Sequence, residues 1–335
     1  MPPPSEPPRT FDAWSLREAA QALLLVTAAV ETGILPLLLR RAGSAAGVAA
    51  ELGLDGRAVR LCLAALEEIG VVTPETPVTG TRSLTDFGRR RFADPASPST
   101  VAADLPVWRA TIPGWLFLAD VLRAGEPLPV DSRSAARAAL YASLDAKPPA
   151  RVAALVGRVL ARTAAARPRV LDVGGGSGVH ARAFLARGCR VTLLERPDVL
   201  AHVRGAFDLD GGRGLDLVEG DAEAALPEGP WDVVLFADVL HELPPDRAAR
   251  LLARAAAVCE PSAIAAVADT FSGRCAGAGF LGVTLLLHTR AGEPHAAADV
   301  QRWLEEAGFA DARIDDLDPV HALITASRGG SRAAG

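Results

Sequence analysis

Between Asp12 and Ala42 apolar residues return every three to four positions, the spacing of an amphipathic helix, and Gly33 with Pro36 divides the run into two helices. Two further helical stretches, Val48 to Leu52 and Arg57 to Ile69, flank the short Gly53-Leu54-Asp55-Gly56 turn. Val71-Val72 and a segment near Arg82 to Leu84 then read as a two-stranded hairpin. Helix, turn, helix and hairpin in that order is the outline of a winged helix-turn-helix. Helical spacing resumes from Val101 to Leu160, where Trp108, Trp115, Phe117 and Leu118 offer large apolar surface to a core or a substrate cavity. After Arg167-Pro168 the period changes. Short apolar strands at Val170 to Val173, Arg190 to Leu194, Leu215 to Val218, Trp231 to Phe236 and Ile264 to Ala268 alternate with helices, the signature of a parallel sheet with crossovers. A helix near Val300 to Ala307 and strands near Ala312 to Asp315 and Ala322 to Thr325 close the sheet with an antiparallel edge. The expected fold is therefore α/β: a Rossmann-like sheet over residues 166–327, preceded by a mainly α-helical, winged-helix-like domain over residues 11–165.

Composition narrows what this fold can serve. A chain of 335 residues suffices for roughly two domains of ~150 residues. The formal net charge of -5 argues against nonspecific nucleic-acid binding, which needs a basic surface, and reduces the winged-helix outline to a scaffold. Lys147 is the sole lysine, so the arginine excess reflects a compositional bias and single arginines carry little information. Cys62, Cys189, Cys259 and Cys275 lie far apart with no C-x-x-C pair, which reads as reduced, buried thiols. Residues 1–10 are a proline-rich lead without the basic and apolar regions of a signal peptide, expected to be disordered, and residues 328–335 read as a flexible tail. The apolar run from Ala19 to Leu39 is broken by Gln21, Thr27, Glu31, Thr32, Gly33 and Pro36, a poor membrane span. The expectation is a cytoplasmic protein with a small-molecule substrate and neither nucleic acid nor membrane as partner.

The segment Val170-Leu171-Asp172-Val173-Gly174-Gly175-Gly176-Ser177-Gly178 joins the first sheet strand to a helix, where open parallel sheets bind nucleotide-like ligands. A dinucleotide fingerprint would want glycine at the sixth place from Gly174, and this chain has Val179. Asp172 would also repel a pyrophosphate, whereas it would attract the ammonium group of S-adenosylmethionine. Glu195, after the second strand, is placed to take two ribose hydroxyls, and Asp221, after the third, to accept from an adenine amino group. Acids at three successive strand ends make a stronger signal than the glycine loop alone.

The loop LDVGGGSG, the Glu195 position, Glu219-Gly220-Asp221 and the stretch WDVVLFADVLHEL from 231 to 243 together resemble class I S-adenosylmethionine-dependent methyltransferases. More narrowly they resemble the small-molecule O-methyltransferases of plant and bacterial secondary metabolism, over about Phe11 to Thr325. Leu84-Thr85-Asp86-Phe87-Gly88 and Ala307-Gly308-Phe309 match that family's LTxxG and late AGF motifs. The resemblance implies a helical front domain that dimerises, here through helices including Asp12 to Ala42, and caps the site. It implies cofactor contacts at Asp172, Gly174, Gly176, Glu195, Arg196, Asp221, Ala222, Phe236 and Ala237.

The resemblance also places a catalytic histidine. Leu240-His241-Glu242-Leu243 stands at the family's L-H-D-W motif, which makes His241 the general base for a substrate hydroxyl, with Glu242 beside it. Leu243 replaces the usual tryptophan, and Ala237 a lysine near the cofactor. In His288-Thr289-Arg290-Ala291-Gly292-Glu293-Pro294-His295-Ala296, His288 matches the family pattern, Thr289 replaces a substrate-binding asparagine, and Pro294 falls where a catalytic glutamate is expected. The carboxylate that would orient His241 is thus missing at that point. His241 and His288, with Glu242 and Asp269 nearby, instead make a two-histidine set suited to a divalent or ferric ion, iron or zinc. Such a metal would polarise an α-keto acid for methylation at its β-carbon, as in some bacterial relatives of the family, with Arg123 holding the carboxylate and Trp108 and Thr289 on the substrate side. Metal-assisted C-methylation is the first expectation. The alternative is O-methylation of a phenolic or polyketide hydroxyl with His241 as base. A cofactor-binding relative that transfers no methyl group, or a DNA-binding regulator, is a further class.

Overall fold

The computed structural model describes residues 13–94, 97, 100–101, 105–129, 149–201 and 214–329. The expected lead over 1–10, the end of the tail from 330 and the middle of the third helical stretch, 130–148, lie outside them. The chain forms two compact units, Met1–Ala110 and Thr111–Gly335. The division falls well before the expected boundary at 165–166, because the helix Pro149–Leu160 belongs with the sheet. Its Leu155, Val156 and Val159 are buried together with Val170, Phe184 and Val191.

In the first unit, α1 (Ala13–Glu31) and α2 (Ile34–Arg40) are separated by Gly33 in the left-handed region, φ 84°. Pro36 falls in the first turn of α2, where a missing N–H costs no helical bond. Helices α3 (Ala45–Leu52) and α4 (Gly56–Glu68) are capped by Ser44 and Asp55, whose side chains accept from the N–H groups of Gly47 and Ala58. Their inner faces bury Leu35, Leu37, Leu38, Leu63 and Leu66 in one cluster. The expected hairpin shrinks to a single bridge, Val72 to Leu84. The second segment instead forms β2 (Thr81–Arg82), antiparallel to β1 (Gly43–Ser44). The LTxxG motif has a local explanation here. The Thr85 hydroxyl donates to the Gly70 carbonyl at 2.7 Å and accepts from Gly88 N–H at 2.9 Å. A Cβ on Gly88 would stand 2.0 Å from the Val71 carbonyl oxygen.

The second unit is built on a seven-stranded sheet. The strands are β3 (Arg169–Val173), β4 (Arg190–Glu195), β5 (Leu215–Glu219), β6 (Trp231–Ala237), β7 (Cys259–Asp269), β8 (Phe309–Asp316) and β9 (Ala322–Arg328), in the spatial order β5-β4-β3-β6-β7-β9-β8. The first five are parallel and β9 runs antiparallel between β7 and β8, which is the Rossmann-like arrangement expected. Leu171, Val173, Val233 to Phe236 and Ala263 to Val267 are buried, as central strands covered on both faces must be. Helices α9 (Pro245–Ala257) and α11 (Ala297–Glu306) pack one face through Leu251, Leu252, Trp303 and Leu304. Helices α7 (Pro149–Leu160) and α8 (Val179–Leu185) cover the other. Each fully buried leucine or phenylalanine contributes about 1.5–3 kcal/mol over exposure, so these two layers hold the strand ends in place.

Three more helices complete the description: α5 (Leu105–Trp115), α6 (Leu118–Ala124) and α10 (Ala278–His288). Leu128 donates its N–H to the Leu287 carbonyl at 3.0 Å, and Val121, Leu128 and Leu287 form a small buried cluster. No single described helix is long and apolar enough to cross a membrane. Strand order reverses between β3 and β6, and this switch point opens a crevice at the carboxyl ends of those strands.

Candidate active site

The loop leaving β3 enters that crevice. Gly174, Gly176 and Gly178 hold φ of 65°, 53° and 73°, which glycine alone adopts without steric cost. The backbone also approaches its neighbours closely. A Cβ on Gly174 would stand 2.8 Å from Val239 Cγ2, and one on Gly175 2.7 Å from Leu193 Cγ. At the end of β4, Glu195 turns its carboxylate to the loop: Oε2 accepts from Gly176 N–H at 3.0 Å and Oε1 from Arg196 N–H at 2.8 Å. Gly220 N–H donates to the Glu195 carbonyl, bringing the end of β5 alongside, and Asp221 follows, half its carboxylate used by Glu223 N–H at 2.9 Å. Asp172 lies fully buried under the loop. The Ser177 hydroxyl, 1% exposed, has no hydrogen-bond partner among the described residues. Carboxylates and backbone amides around a tight glycine loop fit a ligand that carries ammonium and hydroxyl groups.

Other expected cofactor residues divide by burial. Ala222 and Ala237 pack at the strand ends, while Phe236 is wholly buried in the core under α9, so its side chain serves the sheet. Arg196 contributes its backbone to Glu195, and its guanidinium turns to Asp198 at 3.6 Å.

Beyond β6, Asp238 takes a left-handed φ of 59° and the chain winds into a single 3-10 turn, Leu240–Glu242. His241 sits in that turn with its side chain 12% exposed. Its Nδ1 lies 2.6 Å from Oδ1 of Asp269, the last residue of β7, itself buried. Asp269 Oδ1 also accepts from Thr270 N–H at 2.8 Å. A carboxylate only accepts, so Nδ1 carries the proton and donates, which leaves the Nε2 lone pair for chemistry. The orienting carboxylate, expected to be missing because Pro294 stands at the family position, is supplied by Asp269. Burial disfavours the charged ring, but the Asp269 carboxylate beside it, with Asp238 and Glu242, outweighs that and raises the His241 pKa to about 9. Glu242 Oε1 is 3.8 Å from Nε2, on a half-exposed side chain, too far for a hydrogen bond.

Two contacts brace the turn. His295, 6% exposed, donates from Nε2 to the Leu240 carbonyl at 2.9 Å and sets its ring edge-on to Trp303. Gly292 packs so tightly that a Cβ there would stand 2.7 Å from the His241 carbonyl oxygen. Thr289 serves this turn: its hydroxyl donates to Leu285 carbonyl and accepts from Gly292 N–H, both at 2.9 Å, so its expected substrate contact gives way to a helix cap. Arg123, expected on the substrate side, lies exposed on α6 in an ion pair with Asp120 at 2.9 Å. Trp108 belongs to the first unit.

The expected metal pair does not assemble. Among the described residues the group with ligand atoms within 4.8 Å of one another is Asp238, His241 and Asp269, without His288. His288 ends α10 and lies against Gly114. Within the group, the 2.6 Å between Nδ1 and Oδ1 is the separation of atoms sharing a proton. Two ligands of one divalent cation with bonds near 2.0–2.2 Å keep roughly 3 Å apart. As placed, His241 and Asp269 form a proton-sharing histidine–aspartate dyad, with Asp238 within 4.8 Å of both.

Comparison with known proteins adds to this geometry. The family profile described as a methyltransferase domain matches residues 144–313. A search of curated protein sequences finds no match. Among solved structures, the mitomycin 7-O-methyltransferase MmcR superposes with a TM-score of 0.75 at 24% identity, covering 94% of this chain and 96% of that one. Human N-acetylserotonin methyltransferase, solved in complex with SAM, gives 0.77 at 21% identity, over 96% of this chain and 100% of that one. A putative O-methyltransferase from Nostoc punctiforme gives 0.79 at 17%, over 95% and 100%. At these identities the likeness is one of fold, and it extends over both units.

Proposed function

Because the chain belongs to the methyltransferase-domain family, we propose that it is a small-molecule O-methyltransferase of natural-product biosynthesis, with His241 as the base that activates an acceptor hydroxyl. The enzyme is a methyltransferase and S-adenosylmethionine is its methyl donor, a sulfonium whose methyl group is electrophilic before the protein acts on it. The observation that carries the proposal is the 2.6 Å contact of His241 Nδ1 with Asp269 at the switch point, one strand end away from the glycine loop.

The residues divide the work simply. Glu195 and Asp221 are placed to hold hydroxyl and amino groups of the cofactor, and Asp172, under the loop, supplies negative charge near it. Asp269 fixes the His241 ring and its tautomer. His241 Nε2 takes the proton of the acceptor hydroxyl as its oxygen forms a bond to the methyl carbon. The carbon–sulfur bond breaks with its electron pair left on sulfur, giving a methyl ether, S-adenosylhomocysteine and an imidazolium stabilised by Asp269. Holding the oxygen in line with the methyl group supplies the rest of the acceleration.

Metal-assisted carbon methylation of an α-keto acid, the first expectation, gives way for two reasons. His288 does not join His241 in a ligand set, and Arg123 is an exposed ion-pair member. O-methyltransferases among the structural neighbours support the oxygen reading. Mass-spectrometric detection of S-adenosylhomocysteine and a methyl ether with a panel of phenolic and polyketide acceptors tests it. A rate unaffected by strong chelators and abolished in His241→Ala is expected. Turnover of a keto acid with none of any hydroxyl acceptor would overturn it.

A further inference from the structure

Asp238 is held in the left-handed region, which aspartate and asparagine tolerate better than other side chains. Its backbone N–H stays in register with the sheet, bonded to the Ala268 carbonyl at 2.9 Å, so the bend falls at the junction of β6 and the turn that carries His241. Its carboxylate lies within 4.8 Å of the ligand atoms of both His241 and Asp269. On its other side, Oδ1 stands 3.8 Å from His321 Nε2. His321 Nδ1 is 2.8 Å from Arg151 Nη1 and 3.2 Å from Asp318 Oδ1. The shorter contact is with a group that only donates. His321 thus links Arg151 and Asp318, both at its Nδ1, to Asp238 on the side of its Nε2. Asp318 is itself tied to Arg151 at 3.2 Å and to the N–H groups of Val320 and His321, both at 2.8 Å. Burial works against its charge, yet these donors hold its carboxyl below the usual range. A continuous line of polar groups thus runs from Arg151 on α7, through His321 ahead of β9, to Asp238 and His241.

We propose that Asp238 is a positioning residue for His241, the inner member of a second acidic arm that, braced by His321 and Arg151, acts on the imidazole alongside Asp269. The role rests on His241 acting as the base. The groups facing His241 are Asp269 from β7, Asp238 from the β6 junction and Glu242 from its own turn. Arg290, on the turn packed against it, is 82% exposed and paired with Glu126. Asp238 is accordingly one of the sources of field that favour the protonated ring.

Asp238→Asn keeps the tolerance for left-handed backbone and removes the charge. The His241 titration is followed by NMR on the intact protein without cofactor or acceptor, its signal assigned by its loss in His241→Gln. In Asp238→Asn the midpoint is expected to fall by about one unit. His321→Gln is expected to give a smaller fall, and the double variant no more than Asp238→Asn alone, because the two act through one arm. Asp238→Glu is expected to restore part of the shift. An unchanged midpoint in Asp238→Asn, or additive shifts in the double variant, would overturn the proposal. The titration needs no turnover, so failure to methylate a hydroxyl would count against the assigned reaction and leave this test readable.

Discussion

His241 Nδ1 and Asp269 Oδ1 meet at 2.6 Å although 28 residues separate them in the chain. The parallel pairing of β6 with β7 brings this about. Ala237 lies opposite Ala268, so Asp269 stands one residue past its partner just where the chain beyond Ala237 turns back into the 3-10 turn. The sheet register, rather than any local motif, thus assembles the dyad.

Asp269→Asn should therefore remove the charge that supports the protonated His241 ring and set an amide donor in place of one acceptor oxygen, while leaving side-chain volume nearly intact. Loss of a positioned general base typically costs 10²–10⁴-fold, and roughly a thousandfold fall in kcat is expected, with little change in the KM for the methyl donor. Rates of S-adenosylhomocysteine formation under saturating conditions check this. A fall of only a few-fold would mean that Asp269 serves packing alone.

The pH dependence follows from the same pair. The base must be neutral to accept a proton, and its pKa is raised to about 9. Each unit below about 9 then cuts the neutral fraction roughly tenfold, so kcat/KM should rise with pH and level off near that value. In kcat the limb should lie lower, because a bound sulfonium disfavours a second positive charge nearby. Stability runs the opposite way. The raised folded pKa makes the His241 contribution fully present below about 6.5 and lost as pH rises through about 9, a difference on the order of 3 kcal/mol. Melting curves from pH 6 to 10 should show a decline that His241→Gln flattens.

Most of the sheet was legible in the chain, since strands buried on both faces appear as unbroken apolar runs such as Val170-Leu171 and Val233-Val234. The placement of the glycine loop at the end of β3 and of Glu195 at the end of β4 was legible too, because their spacing is local to one βαβ unit. The dyad was only half visible. His241 carries a motif, but Asp269 is one acid among many until the β6–β7 register is known. The Thr289 hydroxyl caps a helix, and in sequence a capping hydroxyl and a substrate-binding one look alike. Arg123 pairs with Asp120 three residues away on an exposed helix, a contact that leaves no mark in sequence distinguishing it from a binding arginine.

His295 gives a prediction that sequence spacing did not suggest. Its Nε2 donates to the Leu240 carbonyl inside a buried site, an oxygen that also accepts from Leu243 N–H at 3.0 Å, so His295→Ala removes one of its two donors, costing about 0.5–1.5 kcal/mol. Melting temperature should fall, and kcat should fall with it because the carbonyl belongs to the turn carrying His241. His295→Gln, which can still donate, should recover part of both. A melting shift without any change in kcat would show that the turn holds His241 without help from His295.

The glycine loop also packs closely on the turn that carries the base, through Gly174 and Val239. Glu195→Ala removes a carboxylate at the end of β4 but touches nothing in the His241 turn, so it should weaken S-adenosylhomocysteine binding by roughly 10–100-fold, the worth of charge-assisted hydrogen bonds. The kcat at saturating donor should change little. Gly174→Ala differs. It forces a side chain onto a residue at φ 65°, at a cost of roughly 1–2 kcal/mol. The new Cβ would also stand 2.8 Å from Val239 Cγ2, and Val239 opens the turn on which His241 rides. Relief requires the loop or the turn to move, so both the binding constant and kcat should suffer. Calorimetry with S-adenosylhomocysteine, paired with saturating rates for the two variants, separates the cases. If Gly174→Ala lost affinity alone, as Glu195→Ala should, the contact with Val239 would be passive and the loop would serve the cofactor without setting the base.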